Sequence, residues 1–365
     1  MALPLELWWD ILLWTHDLPL IFTFGHRSLS VKRAVARKTD RSKVWNQAML
    51  AGDVHRLRFL HHHQFHIDSI SPYDVDEVAR FGYLNIIEFL HTLHMLNCTT
   101  RAMDAAAASG RLDIVNFLHT HHKGCTTKAM DRAASNGHLD VVNFLHSHRT
   151  EGCTTDAMDA AAASGYLDIV TFLHTHRTEG CTSDAMDGAA DEGHLDVVDF
   201  LHTHRTEGCT TDAMDAAAAS GYLDIVTFLH TNRTEGCTTS AMNWAAENGH
   251  LAVVEFLHSH RTEGCTTDAM DLAACNGHLD VLNFLHTIRK EGCTTDAMDL
   301  AALKGQLDVL NFLYTNRNEG CTRNAMEWAA LGDHLDVVEF LHTHFSGHMI
   351  SLWPSPLATA PEHRT

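Results

Sequence analysis

The string D-A-M-D-A-A-A-A-S-G-Y-L-D-I-V-T-F-L-H-T occupies residues 156–175 and recurs letter for letter at residues 212–231. Most cysteines and glycines around the two copies recur every 28 residues. Self-similarity at a period of this size is typical of repeat proteins. Eleven repeats cover residues 41–345, and Asp333 stands in the glycine slot of the last one. The sequence therefore predicts a repeat array at 41–345, preceded by a segment 1–40 and followed by a disordered tail 346–365.

Each repeat is predicted to contain two short helices joined by a glycine turn. In the fifth repeat, Cys153–Gly180, an alanine-rich helix 1 follows three side chains that can cap a helix, Thr154, Thr155 and Asp156. Gly165 is expected to end helix 1, because glycine adopts the left-handed conformation without strain. Helix 2 follows, with apolar residues at helical spacing. Helices of about ten residues are not stable alone in water, so the repeats are expected to stack.

The repeat resembles the ankyrin repeat. Its pattern D-A-M-D-x-A-A-x-x-G-H-L-D-V-V-x-F-L-H is similar to the T-P-L-H-x-A-A-x-x-G-H-L-x-V-V-x-L-L-L core of that family. The resemblance implies an all-α solenoid of about eleven ankyrin-like repeats. Each repeat is shorter than the family's usual length of about 33 residues, so the protruding β-hairpin is predicted to shrink to a tight loop around residues 180–182.

Composition and charge exclude several classes of protein. Lys and Arg number 26 against 46 Asp and Glu, a formal net charge of −20, so a nucleic acid partner is not expected. Glu6, Asp10 and Asp17 interrupt the apolar N-terminal stretch, so neither a signal peptide nor a membrane span is predicted. Nine of the ten cysteines follow the repeat spacing, which is too wide for disulfides between repeats. The prediction is a monomer in the cytoplasm or nucleus.

The sequence contains no motif typical of catalysis or cofactor binding, so no enzyme activity, catalytic residue or cofactor is predicted. Histidine is abundant, with 31 residues, and H-x-H pairs such as His174 and His176 recur. Histidines one repeat apart are expected to be too far from each other to share one metal ion. The preferred interpretation is a row of partly buried imidazoles without a metal site. A metal-binding protein is the alternative, and the His61–His63 tract favours it most.

The helix-1 positions that differ between repeats are the candidate binding residues. They are the slot seven residues after the cysteine and the two slots before the glycine. By resemblance, the latter two lie on the concave surface with which ankyrin arrays bind partners. Large apolar residues in consecutive repeats form either core or an interaction patch. The chain is thus predicted to be a protein–protein interaction scaffold. Its partner-binding residues would be Asp191, Glu192, Trp244, Glu247, Leu272, Leu300, Leu303, Trp328 and Leu331.

Residues 1–40 suggest an alternative function. The opening of the chain resembles an F-box, the helical motif that docks substrate receptors on cullin-type ubiquitin ligases, through Leu3, Pro4, Glu6 and Ile11. This resemblance implies a ligase receptor whose array selects the substrate. The other interpretation of the segment is an apolar cap at the end of the array.

Overall fold

A computed structural model describes residues 41–349, apart from residues 63–66, 68 and 122. This part of the chain holds 22 α-helices and no strand, two helices in each of eleven repeats. The first helices are α1 (Arg41–Leu50), α3 (Pro72–Phe81), α5 (Thr100–Ala108), α7 (Lys128–Ser135), α9 (Asp156–Ala163), α11 (Asp184–Asp191), α13 (Thr211–Ala219), α15 (Thr239–Glu247), α17 (Asp268–Asn276), α19 (Asp296–Leu303) and α21 (Arg323–Leu331). The second helices are α2 (Val54–His62), α4 (Leu84–Thr92), α6 (Leu112–Thr120), α8 (Leu139–His148), α10 (Leu167–His176), α12 (Leu195–His204), α14 (Leu223–Asn232), α16 (Leu251–His260), α18 (Leu279–Ile288), α20 (Leu307–Asn316) and α22 (Leu335–Met349).

The predicted all-α repeat solenoid is confirmed. The repeats fall into two compact units, the first with residues up to 161 and 168–180, the second with residues 162–167 and from 181 onward. Within each unit, helix 1 of one repeat packs against helix 1 of the next more extensively than the second helices pack together. The last helix, α22, continues to Met349, beyond the predicted end of the array. None of the helices in the described ranges is long and apolar enough to cross a membrane.

The core of each repeat follows the predicted apolar pattern. Helix 1 buries a narrow face of small side chains, which in α13 includes Ala213, Ala217 and Ala218 beside Met214. Because alanine is small, neighbouring first helices approach closely. Helix 2 buries β-branched and leucine side chains, as α14 does with residues 225, 226 and 229. These residues lose nearly all contact with solvent only because the next repeat covers them, which explains why stacking stabilises helices this short.

The turn between the two helices requires glycine for two reasons. Gly249 has a φ of +76°, a left-handed conformation that strains other residues. A Cβ added to Gly249 would also lie 2.5 Å from Nδ1 of His278 in the next repeat. In the last repeat Asp333 takes the slot with a φ of +57°. The helix-1 cap is the threonine directly after the cysteine, since Thr210 accepts a hydrogen bond from the amide of Asp212 at 3.1 Å.

Candidate partner-binding surface and repeat interfaces

Six of the predicted binding residues form an apolar series on the first helices of the second compact unit. Three are exposed: Trp244 on α15 by 43%, Leu303 on α19 by 37% and Leu331 on α21 by 82%. The other three, Leu272, Leu300 and Trp328, are partly buried. We call the six residues the helix-1 strip. The neighbouring first helices that carry them also pack together within this unit.

The register of the first helices makes the strip continuous. A Cβ added to Gly188 would lie 2.8 Å from Cβ of Ala163, so the first variable slot faces the second variable slot of the preceding repeat. The same register places Trp328 next to Leu303. Side chains from consecutive repeats therefore alternate along one line.

Acidic side chains accompany the strip, and one neighbouring slot has a structural role. Asp191 and Glu192 are exposed at the end of α11, and Glu247 is partly buried at the end of α15. The slot before the glycine was expected to vary freely. However, the amide Nδ2 of Asn276 donates to the backbone carbonyl of Glu247 at 2.8 Å. Asn248 bonds to the carbonyl of Ala219 in the same way, at 2.8 Å. Asparagine in this slot therefore links adjacent repeats.

A buried carboxylate links consecutive repeats at the start of helix 1. The Asp271 carboxylate accepts hydrogen bonds from the backbone amide and from Oγ1 of Thr294, both at 2.8 Å. We call this arrangement the Asp–Thr latch. It recurs at Asp76/Thr99, Asp104/Thr126, Asp131/Thr154, Asp187/Thr210, Asp215/Thr238 and Asp299/Thr322. The aspartate thereby fixes the capping threonine of the following repeat.

Burial affects the pKa of the aspartate in the Asp–Thr latch. It raises the pKa of Asp271, while the bonds from Thr294 oppose the rise. In the eighth repeat Asn243 replaces the aspartate and keeps both contacts. Its Oδ1 accepts from the amide of Thr266 at 3.0 Å, and its Nδ2 donates to Thr266 Oγ1 at 2.9 Å. The latch thus depends on the shape of the group more than on its charge.

An arginine–glutamate ion pair closes the loop at the end of most repeats. Arg233 pairs with Glu235 within two residues. Partial burial raises the pKa of Glu235, but hydrogen bonds from Arg233 and from backbone amides outweigh it and lower the pKa to about 2. The carboxylate also accepts from the backbone amide of Cys209 at 3.5 Å. Burial raises the pKa of the Cys209 thiol to about 11, so this cysteine is a packing residue and not a nucleophile.

The first histidine of the H-x-H pairs lies partly buried between repeats, as predicted, except in the last repeat, where His342 is exposed. The His146 ring meets the Phe172 ring of the next repeat edge to face at 5.5 Å between centroids. Tyr314 makes the same contact with Phe340, at 5.9 Å, which confirms that this slot is a packing position. The second histidine is exposed, and His176 stacks on Phe172 at 4.4 Å.

The expectation that histidines of adjacent repeats lie too far from each other to share one metal ion is wrong as regards their distance. The first histidine of one repeat and the second of the next face each other, with ring centroids 5.5 Å apart for His146 and His176. The two histidines of such a pair occupy different slots of their repeats, so the distance between equivalent slots does not reveal the pairing. Among the residues that the structure describes, no group of three or more His, Cys, Asp or Glu side chains is placed to hold a metal ion.

The candidate ligase-docking residues Leu3, Pro4, Glu6 and Ile11 lie outside the described residues, as does His63. The ligase-receptor function therefore stays a prediction. The tail predicted from residue 346 is described only as far as the end of α22.

Known families match two parts of the array. Residues 213–299 match a family model of ankyrin repeats in three copies, and residues 130–174 match a second model of ankyrin repeats in many copies. The first match spans repeats that carry Trp244 and Leu272. No curated protein matches the chain.

Two solved structures of the pentatricopeptide repeat protein PPR10 in complex with an 18-nt psaJ RNA element are similar to this chain, each with a TM-score of 0.43 and 13% identity. The match covers 91% of this chain and 52% of that one, so this chain spans about half the length of that protein. Both structures contain RNA, and the exclusion of nucleic acid that was drawn from the net charge of −20 does not stand. Net charge is an average over the chain, whereas a nucleic acid contacts one surface.

Proposed function

We propose that this chain, which carries ankyrin repeats, is a non-catalytic scaffold that binds a protein partner through the helix-1 strip of its second compact unit. The exposure of large apolar side chains in consecutive repeats carries the proposal. The slot of Trp244 holds Ala216 one repeat earlier and Gly188 two repeats earlier. Since stacking accepts small residues there, it does not require the tryptophan. An exposed series of this kind is typical of an interaction surface.

The chemistry of the strip supports a partner with an apolar centre and a basic rim. Aromatic anchors dominate the energetics of many interfaces, and truncating one costs ~2 kcal/mol or more. Trp244 and Trp328 provide such anchors among leucines. Asp191, Glu192 and Glu247 give this unit negative charge near the strip, which favours approach of a positively charged protein surface.

The state of the cysteines supports action in the cytosol or nucleus. None of the ten cysteines, all of which lie in the described ranges, forms a disulfide, and six of them are buried. Thiols persist in reducing compartments, whereas disulfides are common in oxidising ones.

Capture by the full-length chain tests the proposal. The immobilised protein is compared with a W244A/L303A/L331A variant, and recovered proteins are identified, purified and titrated against both. Because all three side chains are exposed, the variant is expected to keep its circular-dichroism spectrum and its melting temperature. Its affinity for the partner should fall at least tenfold, since each anchor contributes on the order of 1–2 kcal/mol.

An I288A/L335A variant is the matched control, because both residues are exposed apolar side chains on second helices. It should bind the partner as the unchanged chain does. Equal loss in both variants would show that the strip is not specific. Capture that disappears on nuclease treatment would identify a nucleic acid as the bound species and contradict the protein-binding proposal.

A further inference from the structure

Three of the diagonal histidine pairs between repeats share one geometry, whereas the rings of His91 and His121 lie closer, 4.1 Å apart between centroids. His146 and His176 have ring centroids 5.5 Å apart, His230 and His260 5.6 Å apart, and His119 and His148 5.7 Å apart. Two imidazoles that bind one ion through bonds of about 2.0–2.1 Å place their ring centres about 5–6 Å apart. The three pairs therefore have the spacing of ligands to a shared metal ion.

The second histidine of each pair is held in the tautomer that binds metal. Nδ1 of His176 lies 3.0 Å from the backbone carbonyl of Phe172, and Nδ1 of His260 lies 3.0 Å from that of Phe256. Oγ1 of Thr175 also lies 2.7 Å from Nδ1 of His176, but this hydroxyl donates to the carbonyl of Thr171 at 2.9 Å and so can accept from the ring. A carbonyl only accepts, so Nδ1 carries the proton and Nε2 keeps its lone pair. Imidazoles that bind metals are commonly oriented by this kind of bond from their other nitrogen to a carbonyl.

In the pairs His146/His176 and His230/His260, the first histidine has a buried nitrogen without a hydrogen-bond partner. Nδ1 of His146 and Nδ1 of His230 are both buried and make no hydrogen bond. Buried polar atoms in folded proteins are nearly always bonded, so such an atom calls for a ligand, a water molecule or an ion. At each of these repeat interfaces, Nε2 of the second histidine has a lone pair available, and Nδ1 of the first histidine has no hydrogen bond.

The local charges permit a cation. The residue after the second histidine is an arginine in all three pairs, and each arginine forms an ion pair with a glutamate two residues later. In the repeat where Ile288 replaces the second histidine, Arg289 keeps its ion pair with Glu291, and its Nη1 also lies 3.2 Å from Nδ1 of His258. The first histidine therefore takes a polar partner when one can reach it.

We propose that the pairs His119/His148, His146/His176 and His230/His260 are binding sites for divalent transition-metal ions such as Zn²⁺, each ion joining two consecutive repeats. Imidazole nitrogens are suitable ligands for Zn²⁺, Ni²⁺ and Cu²⁺. Each site supplies two protein ligands, and water completes the coordination. An ion bound across the repeat interface stabilises the stacked form, because it binds the folded array and not the separated repeats.

The chain contains its own matched substitution. Asn232 and Asn316 occupy the second-histidine slot in two repeats, and their Nδ2 atoms donate to the same helix carbonyl, at 2.9 and 2.8 Å. A His→Asn change therefore keeps the bond that orients the side chain and removes only the ligating nitrogen. The triple variant H148N/H176N/H260N is accordingly expected to fold.

Isothermal titration of the full chain with Zn²⁺, in a buffer that does not chelate metals, tests the proposal. The triple variant should bind three fewer ions than the unchanged protein. The variant N232H should bind one more, because it places a second histidine next to His202, whose Nδ1 is also buried without a partner. Added Zn²⁺ should raise the melting temperature of the unchanged protein more than that of the triple variant.

H278Q controls for histidine content, since Gln306 occupies the same slot one repeat later. It should bind as many ions as the unchanged chain. The proposal is overturned if the triple variant binds the same number of ions as the unchanged chain. It is also overturned if H278Q loses ions as the triple variant does, or if N232H gains none.

Discussion

Replacement of Asp271 by alanine tests whether the Asp–Thr latch holds the repeats together. The change removes the acceptor for two hydrogen bonds of 2.8 Å and leaves the backbone amide of Thr294 without a partner. The aspartate is only 5% exposed, so water cannot readily replace it. A hydrogen bond to a charged group contributes ~1.5–3 kcal/mol, and an unsatisfied buried amide costs ~1–3 kcal/mol. The two contributions describe partly the same loss, and the structure around the site can relax. We therefore expect the free energy of unfolding to fall by about 2–4 kcal/mol.

Asp271→Asn is the matched control, because Asn243 performs this role one repeat earlier. It should cost less than about 1 kcal/mol, since both contacts to threonine are kept. Urea unfolding followed by circular dichroism measures the two changes. Hydrogen exchange at the Thr294 amide reports the latch itself and should accelerate only in the alanine variant. The reasoning fails if alanine is tolerated as well as asparagine, or if asparagine is as damaging as alanine.

The latch also predicts a pH dependence with a definite sign. Burial raises the folded pKa of Asp271 above its ordinary value of 3.8. The stabilising contribution of such a group is fully present below pH 3.8 and is lost as the pH rises through the folded pKa. Asparagine does not titrate. The stability of D271N relative to the unchanged protein should therefore increase from pH 3.5 to pH 7, and a constant difference would contradict the assigned pKa shift.

Three further predictions concern the turn, the loop and the thiols. G249A should lose more than ~1 kcal/mol of stability in urea unfolding, because of the left-handed backbone and the His278 ring, and unchanged stability would refute this. E235Q should destabilise the chain at pH 7 by up to ~1 kcal/mol. Because the folded pKa of Glu235 is about 2, this difference should shrink as the pH falls from 4.5 toward 2, and a difference that grows would refute the sign. Native protein should alkylate slowly at the buried cysteines and react at all ten when denatured, as mass spectrometry would show; native disulfides would contradict it.

The sequence predicts the fold well because one pattern of local signals recurs in every repeat. The glycine turn, the threonine cap and the apolar spacing of helix 2 are local features, and the structure contains each of them. The contacts between repeats are less accessible to this reasoning. The aspartate of the latch and its threonine are 23 residues apart, so no helical periodicity connects them. The two histidines of a diagonal pair also belong to different repeats, so no helical periodicity connects them.

Comparison of the repeats with one another separates structural positions from candidate binding positions. In structural slots, a substitution keeps the interaction: Asn243 retains the latch, Asn232 retains the bond to the helix carbonyl, and Tyr314 retains the edge-to-face ring contact. The slot of Trp244 differs from these. Glycine, alanine and tryptophan occupy it in consecutive repeats, and these three residues have no side-chain interaction in common. Selection for stacking therefore does not explain the tryptophan. Contact with another molecule would explain it under the proposed function, and the helix-1 strip is therefore the surface to test first for a partner, ahead of the more regular histidine and aspartate rows.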